Sequence, residues 1–410
     1  MPSAKLTARL LPSIADVDSA AWDACANPVF RNEDEAAGER FNPFVTHAFL
    51  HALEASGSTG GRSGWTPAHV VVENSAGKIV AAAPSYLKSH SLGEYVFDHA
   101  WADAYERAGG RYYPKLQVAA PFTPVTGRRL LVATDAPEGA REALIQALRE
   151  VRRQTKASST HVTFSTPEDA ALLERAGFLV RHGEQFHFLC GGFSTFDDFL
   201  AALASRKRKA IRRERREALG KDLTIEWVTG SSIRPDHWDS FFKFYMDTGS
   251  RKWGRPYLTK PFFTLIGASM AERILLVMAK RGGRYVAGAI NFIGHDALYG
   301  RNWGSIEDRP FLHFEVCYYQ AIEFALARGL RRVEAGAQGE HKLARGYRPV
   351  VTYSAHEFAD ARLAKAVADF LQHERAAVAE TIAYYEDRAP FRKSDQANHE
   401  TVGESFDLDL

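Results

Sequence analysis

The chain carries one succession of signals twice, and that repetition limits its fold more than any other feature. In the first half, residues 68–73 (AHVVVE) read as a strand, Asn74-Ser75-Ala76-Gly77 as a turn, and 78–87 (KIVAAAPSYL) as the returning strand of a hairpin. Strands follow at 115–119 and, past the proline-punctuated stretch 121–124, at 128–132. An amphipathic helix over 138–154 gathers Leu144, Ala147, Leu148 and Val151 on one face. Strand 161–165, helix 167–176 with Gly177 as its cap, and strand 185–190 complete the series. The second half repeats it: strand 274–280, turn 281–284, strands 285–293 and 297–303, helix 311–327 capped by Gly329, strand 331–335 and a last strand at 351–358. The expected fold class is α/β (α+β), with two tandem domains, each a mixed sheet flanked by helices.

The length of 410 residues suits two cores rather than one. The expected division is a first domain over 1–190, a basic helical segment over 191–222 that opens the second, the rest of the second domain over 223–385, and a polar tail over 386–410. Hydrophobic and charged shares of 45% and 25% are those of a globular chain, which argues against a disordered one. A net charge of +2 makes no global demand for a polyanion. Cys25, Cys190 and Cys317 are odd in number and lack metal-type spacing, so a reducing, cytoplasmic setting is expected, with no metal. Neither a signal peptide nor a membrane span is read.

Charge is concentrated in one place. Over 205–216 (SRKRKAIRRERR) eight cations face a single acid, Glu214, with Glu217 following. Ser194 and Asp197 read as a capping pair for the helix leading in, and Phe196, Phe199, Leu200, Leu203 and Ile211 as its apolar stripe. A solvated helix face intersperses acids as i,i+4 partners. Arg208, Arg212 and Arg215 are therefore candidates to contact a polyanion, either tRNA, a nucleotide-linked acceptor or an anionic surface. A plain solvated face is the other reading.

The second constellation is Glu334-x-x-x-Gln338-x-Glu340-His341-Lys342-x-x-Arg345, directly after an expected strand. His341 or Glu340 is a candidate general base, with Glu334 beside them in the catalytic set. Lys342 and Arg345 are candidates to hold a carboxylate or phosphate, and Gln338 to bind substrate. Tyr299, Arg301 and Trp303 alternate along a strand, which predicts a shared, ligand-facing side. His313 and Glu315 open the next helix and extend the same set. In the first half, Tyr86, Lys88 and Lys115 form a candidate patch for the acceptor. Each of these groups also has a structural reading: sheet packing for the aromatics, ion pairing for Glu334.

Several blocks resemble one known family. They are Lys252-Trp253-Gly254 with Pro256-Tyr257-Leu258, Leu298-Tyr299-Gly300-Arg301, Leu312-His313-Phe314-Glu315 and the stretch from Glu334 to Lys342. Asn42-Pro43-Phe44, Glu94-Tyr95-Val96-Phe97-Asp98 and Tyr113-Pro114-Lys115-Leu116 add to them. Together they resemble the FemAB-like N-acyltransferases, from about residue 42 to about residue 374. The resemblance implies two GNAT-like domains and transfer of an acyl or aminoacyl group to an amine, without a covalent enzyme intermediate. It also implies an amine acceptor such as an envelope precursor, and no tightly bound cofactor, with aminoacyl-tRNA or acyl-CoA as co-substrate. Fem-type proteins carry a basic segment between their domains, as here. One departure bears on the donor: GNAT proteins that use acetyl-CoA cradle its pyrophosphate on a glycine-rich loop before the long helix. Here that loop is Gly304-Ser305-Ile306-Glu307-Asp308-Arg309-Pro310, with one glycine and two acids. Residues 136–139 of the first half are no better suited. An acyl-CoA-dependent acetyltransferase and a non-catalytic, polyanion-binding adaptor remain the alternatives; oligomeric state is not legible.

Overall fold

The computed structural model describes residues 5–29, 41–252, 256–336 and 339–392, without the side chains of 250–252. The chain divides into two compact units. The first is made of Met1–Glu184, Pro256–Ala271 and Val351–Glu380, the second of Gln185–Arg255, Glu272–Val350 and Thr381–Leu410.

In the first unit, Thr7–Leu11, His69–Glu73, Ile79–Ala83 and Leu131–Val132 form an antiparallel sheet in that order. The returning strand expected over 78–87 is in fact two strands. Pro84 has no N–H to donate to a ladder, and the chain changes sheet there. Ser85–Lys88 pairs instead with Trp65–Pro67 and Lys115–Val118. Lys115–Val118 then lies parallel to Ser159–Ser165, with helix Ala140–Gln154 as the crossover. That helix buries Leu144, Ile145, Leu148 and Val151 against Val70, Val72, Val118 and Val162. The expected last strand of the chain runs over Arg348–Phe358, and its 353–358 portion pairs with Ser159–Ser165 of this first unit.

The second unit has the same plan. Leu223–Thr229, Ile274–Arg281, Arg284–Ile293 and Ala297–Ser305 form an antiparallel run. Ala297–Ser305 then pairs in parallel with Arg332–Glu334, which is antiparallel to residues 187–189. The crossover between the parallel strands is again helical. It is not the single helix expected over 311–327 but a short turn, Leu312–Phe314, a π turn, Glu315–Tyr319, and an α-helix, Gln320–Ala327. Helix Ser205–Leu219 packs Ile211 into the core formed by Phe188, Phe199, Leu298, Val316, Tyr319 and Val333. Its lead-in helix, Phe196–Ala202, is capped by a Thr195–Asp198 box, one residue beyond the Ser194–Asp197 pair read from sequence. Each unit thus holds a hairpin-fed mixed sheet and one parallel pair bridged by a helix, the GNAT-like arrangement. No described helix is long and apolar enough to cross a membrane.

Candidate active site

The parallel ladder of the second unit holds for three pairs, the last being Tyr299 with Glu334. Past it, residues 300–305 stay paired to Arg284–Ile293 on one edge, and the other edge meets no strand among the described residues. The partner chain turns away through Ala335 and Gly336, the latter at φ 81, a conformation that suits glycine. A Cβ on Gly300 would lie 3.5 Å from the Glu334 carbonyl oxygen, which marks where the strands part. A notch between parallel strands leaves backbone N–H groups without ladder partners, where a ligand can meet them.

A bulge at this point undoes the alternation of Tyr299, Arg301 and Trp303. Ala289 faces Trp303 and Asn291 faces Gly300, so one strand spends an extra residue at 301–302 opposite Ile290. Trp303 lies on the face of Leu298 and Ala289, beside the helical crossover, with its ring 4.5 Å from that of His313. Tyr299, next to Leu298, points the other way. It is buried, and Arg332 Nη2 donates to its hydroxyl at 3.5 Å. The three side chains expected on one face are therefore divided between two.

The loop after Arg332–Glu334 returns as a 3₁₀ segment, Glu340–Arg345. Gln338 lies outside the described residues. His341 is exposed, and its Nε2 shares a hydrogen bond of 2.8 Å with the Tyr318 hydroxyl. Its ring is 6.3 Å from that of His313. Glu340 accepts from the Tyr385 hydroxyl at 2.7 Å. Lys342 is only 1% exposed; its Nζ donates to the Gly336 carbonyl at 2.8 Å and, among the described residues, has no carboxylate partner. Burial, and then the charge of Arg301, push its ammonium down to about 7. Arg345 holds structure instead of facing a ligand. It donates to both oxygens of Glu214 at 3.0 Å and to the His341 carbonyl at 2.7 Å, and its guanidinium lies 3.4 Å from the Phe314 ring centroid.

Glu334 is buried on the Tyr299 side. Arg332 Nε donates to its Oε1 at 2.9 Å, while its Oε2 has no hydrogen-bond partner and lies 3.8 Å from His187 Nε2. His187 was not singled out from sequence. Burial, opposed by Glu334 and aided by Arg332 and Lys342, pushes it down to about 4. A signal for it existed: Gln185 and His187 alternate with Phe186 and Phe188 along their strand. Tyr318 was missed because a π turn re-aims its side chain, and such turns leave no mark in a 3.6-residue pattern.

The basic helix divides its charges. Arg215 turns inward, binding Glu315 at 2.9 and 3.0 Å and Glu323 at 2.8 and 2.9 Å, with Phe196 under its guanidinium. Glu315 is wholly buried, also accepts from Gln320 at 2.7 Å, and is committed to this pair. Arg208 is half-buried, and its Nη1 reaches the Ala201 carbonyl at 3.4 Å. Arg212 is exposed, 3.6 Å from Asp197, and Arg206, Lys207, Lys209, Arg213 and Arg216 share its exposure.

In the first unit, Tyr86, Lys88 and Lys115 lie inside the protein rather than on a ligand-facing surface. Lys115 donates to Glu94 at 2.6 Å, Asp98 at 2.5 Å and Ser91 at 2.8 Å. Lys88 Nζ sits 3.7 Å from the Trp65 ring centroid and donates to the Leu92 carbonyl at 3.0 Å. Burial, partly offset by Glu94, pushes it down to about 7. Lys342 thus reaches the notch at the Gly336 carbonyl, within the field of Arg301, and the rings of Trp303, His313 and His341 follow one another at 4.5 and 6.3 Å. The structure sets Arg345, Glu315 and Arg215 into structural pairs.

The fold is shared with solved structures of low sequence similarity. FemX is 13% identical, the match covers 86% of this chain and 98% of FemX, and the TM-score is 0.53. The C-terminal domain of a putative lysylphosphatidylglycerol synthetase from Agrobacterium fabrum is 11% identical over 88% of this chain and 97% of that domain, with a TM-score of 0.51. A tandem GNAT protein from the clavulanic acid biosynthesis pathway is 14% identical, over 87% and 99% of the two chains, at a TM-score of 0.45. No curated protein sequence matches. The family model described as peptidoglycan biosynthesis/recognition matches residues 13–393, nearly the whole chain, and the protein belongs to this FemAB-like family.

Proposed function

We propose that the chain is an N-acyltransferase that moves an aminoacyl group from an ester-linked donor, an aminoacyl-tRNA, onto an amine of a cell-envelope precursor. The observation that carries the reading is Lys342, buried beside the splayed parallel strands with Arg301 nearby, tuned to about 7 and, among the described residues, lacking a carboxylate. A buried ammonium without a counter-charge is costly, and an oxygen that becomes negative there is what it is suited to meet. The acceptor amine attacks the ester carbonyl, the carbonyl oxygen takes up negative charge opposite Lys342 and the open strand edge, and the ribose oxygen leaves. His341, held by Tyr318, takes the amine proton and returns it to the leaving oxygen. No covalent enzyme intermediate is required.

The donor assignment is supported by the loop before the helical crossover. Ile306 N–H donates to the Val286 carbonyl, Glu307 N–H to Ser305 Oγ, and Leu312 N–H to the Arg309 carbonyl. Arg309 itself is held by Asp222 and the Leu219 carbonyl. Those three N–H groups are committed within the protein and are not offered to a coenzyme A pyrophosphate, which supports the other donor. The exposed cations of helix Ser205–Leu219 suit a tRNA backbone. The family's description supports the acceptor class.

The test is a transfer assay in which labelled aminoacyl-tRNAs and labelled acyl-CoAs are offered in parallel with peptidoglycan-precursor peptides bearing a free amine. Amide product from charged tRNA alone is the expected result. Product from acyl-CoA alone overturns the donor, and no product from either donor favours the adaptor reading.

A further inference from the structure

The first unit contains a cleft of about 610 Å³ at the C-terminal end of helix Ala140–Gln154, built from none of the residues discussed above. Its walls carry Arg111, Arg149, Arg152, Arg153 and Lys156 against a single lining acid, Glu150. The carboxylates within reach are shared thinly. Glu357 accepts from Arg149 Nε at 2.7 Å and lies 3.4 Å from Arg152, so one negative charge serves two guanidiniums. Glu150 is taken by Arg153 at 2.8 and 2.5 Å and by Gln154 at 2.7 Å. Arg111 and Lys156 have no ion-pair partner among the described residues, and both are exposed at the rim. Counting the five cations against Glu150 and Glu357 leaves a local charge of +3.

Two further features set this apart from a solvated basic face. Arg152, which lines the cleft, keeps its Nε buried without a hydrogen-bond partner, and Glu357 Oε2 beside it is likewise unpartnered. Lys156 follows the helix at φ 54, in the left-handed region where glycine is the unstrained choice, and there it carries a charge to the rim. The helix C-terminus accounts for cations in its last turn. It does not account for Arg111, which comes from a separate segment.

We propose that this cleft binds a compact polyphosphate, the diphosphate or triphosphate of a small ligand. Guanidiniums match phosphate oxygens in pairs, and several converging cations favour a multiply charged group over a single carboxylate. The volume lies in the range of small-molecule pockets, whereas a nucleic-acid backbone is matched by an extended stripe. The inference does not depend on the transferase reading.

Inorganic pyrophosphate titrated into the full-length protein by calorimetry tests it, with sodium sulfate at equal ionic strength as the comparison. Saturable binding of pyrophosphate is expected, weaker for sulfate. R111A/K156A, which changes two exposed side chains, should weaken it by about tenfold or more with an unchanged melting curve. E150Q, which frees Arg153, should tighten it. Absence of saturation, binding indifferent to R111A/K156A, or binding of a short single-stranded RNA through those residues without pyrophosphate binding would each overturn the proposal.

Discussion

Replacing Arg215 by alanine should destabilise the second unit far more than replacing Arg212, two exposed-looking arginines one turn apart in the sequence. Among the described residues Arg215 is the sole cation bonded to Glu315, at 2.9 and 3.0 Å, and Glu315 has no exposed surface. Removing it leaves a buried carboxylate that still accepts from Gln320 at 2.7 Å. Breaking a buried pair from one side costs about 3–5 kcal/mol. The Arg215 side chain is 19% exposed, which argues for the lower end. Loss of its packing over Phe196, at 4.6 Å, adds about 0.5–1 kcal/mol. The expected cost of R215A is therefore about 3–4 kcal/mol, against about 0.5 kcal/mol or less for R212A, whose ion pair is exposed and 3.6 Å long. The double variant R215M/E315L should recover most of the loss, because both charges leave together. Because the chain has two units, a single unfolding midpoint is a poor measure. Urea titration followed by hydrogen exchange of the peptide covering 315–327 reads the second unit itself. An R215A cost below about 1 kcal/mol, or no recovery in the double variant, would refute the electrostatic account of this pair.

Lys342 sets two further expectations. K342M should lower kcat by about 10²–10³ with little change in KM, measured in the transfer assay, if Lys342 meets charge that exists only in the transition state. In the folded protein its pKa is depressed to about 7 from 10.5, so between those values the unfolded chain binds the extra proton. Stability attributable to this group therefore rises as pH climbs from about 7 toward 10.5, and is at its lowest below 7. Urea titrations of wild type and K342M across that window should differ in slope, and parallel slopes would refute the assignment. The outward cations give the last expectation: neutralising Arg206, Lys209 and Arg213 together should weaken tRNA binding and flatten its dependence on salt, read by filter binding at several ionic strengths, with the melting curve unchanged.

Legibility in the sequence followed the range of the interaction. The order of strands and helices was readable because alternation and helical periodicity are local, and the two halves reinforced each other. The split at Pro84 was equally local and was passed over: a proline inside a strand is a boundary signal. The bulge at 301–302 is of another kind. It is a mismatch of two residues against one across a ladder, and nothing in Ala297–Ser305 alone encodes it. Alternation therefore predicted a common face for Tyr299 and Trp303 that the pairing with Arg284–Ile293 removes. The roles of Glu315 and Arg345 depended on partners about a hundred residues away in the chain, Arg215 at one and Glu214 at the other. Lys88 and Lys115 read as surface residues for the same reason, since Glu94, Asp98 and Trp65 reach them only through the fold.

The basic helix and the loop bearing His341 and Lys342 are mechanically one piece, and this follows from two adjacent residues. Glu214 accepts from Arg345 of the loop and from the Tyr319 hydroxyl of the π turn. Arg215, next to it, clamps Glu315 at the start of the same turn. Tyr318, one residue from Tyr319, holds His341. The inward face of the helix is thus wired to the groups proposed to do chemistry, and its outward face carries exposed cations with Glu217 among them, 3.6 Å from Arg213. A variant that removes Arg215 together with Arg208 and Arg212 loses the clamp as well as surface charge, so weakened tRNA binding in it has two causes. Confining substitutions to Arg206, Lys209 and Arg213 separates them: binding lost with the loop intact is electrostatic contact, and it should vanish at high salt in the wild type as it does in the variant.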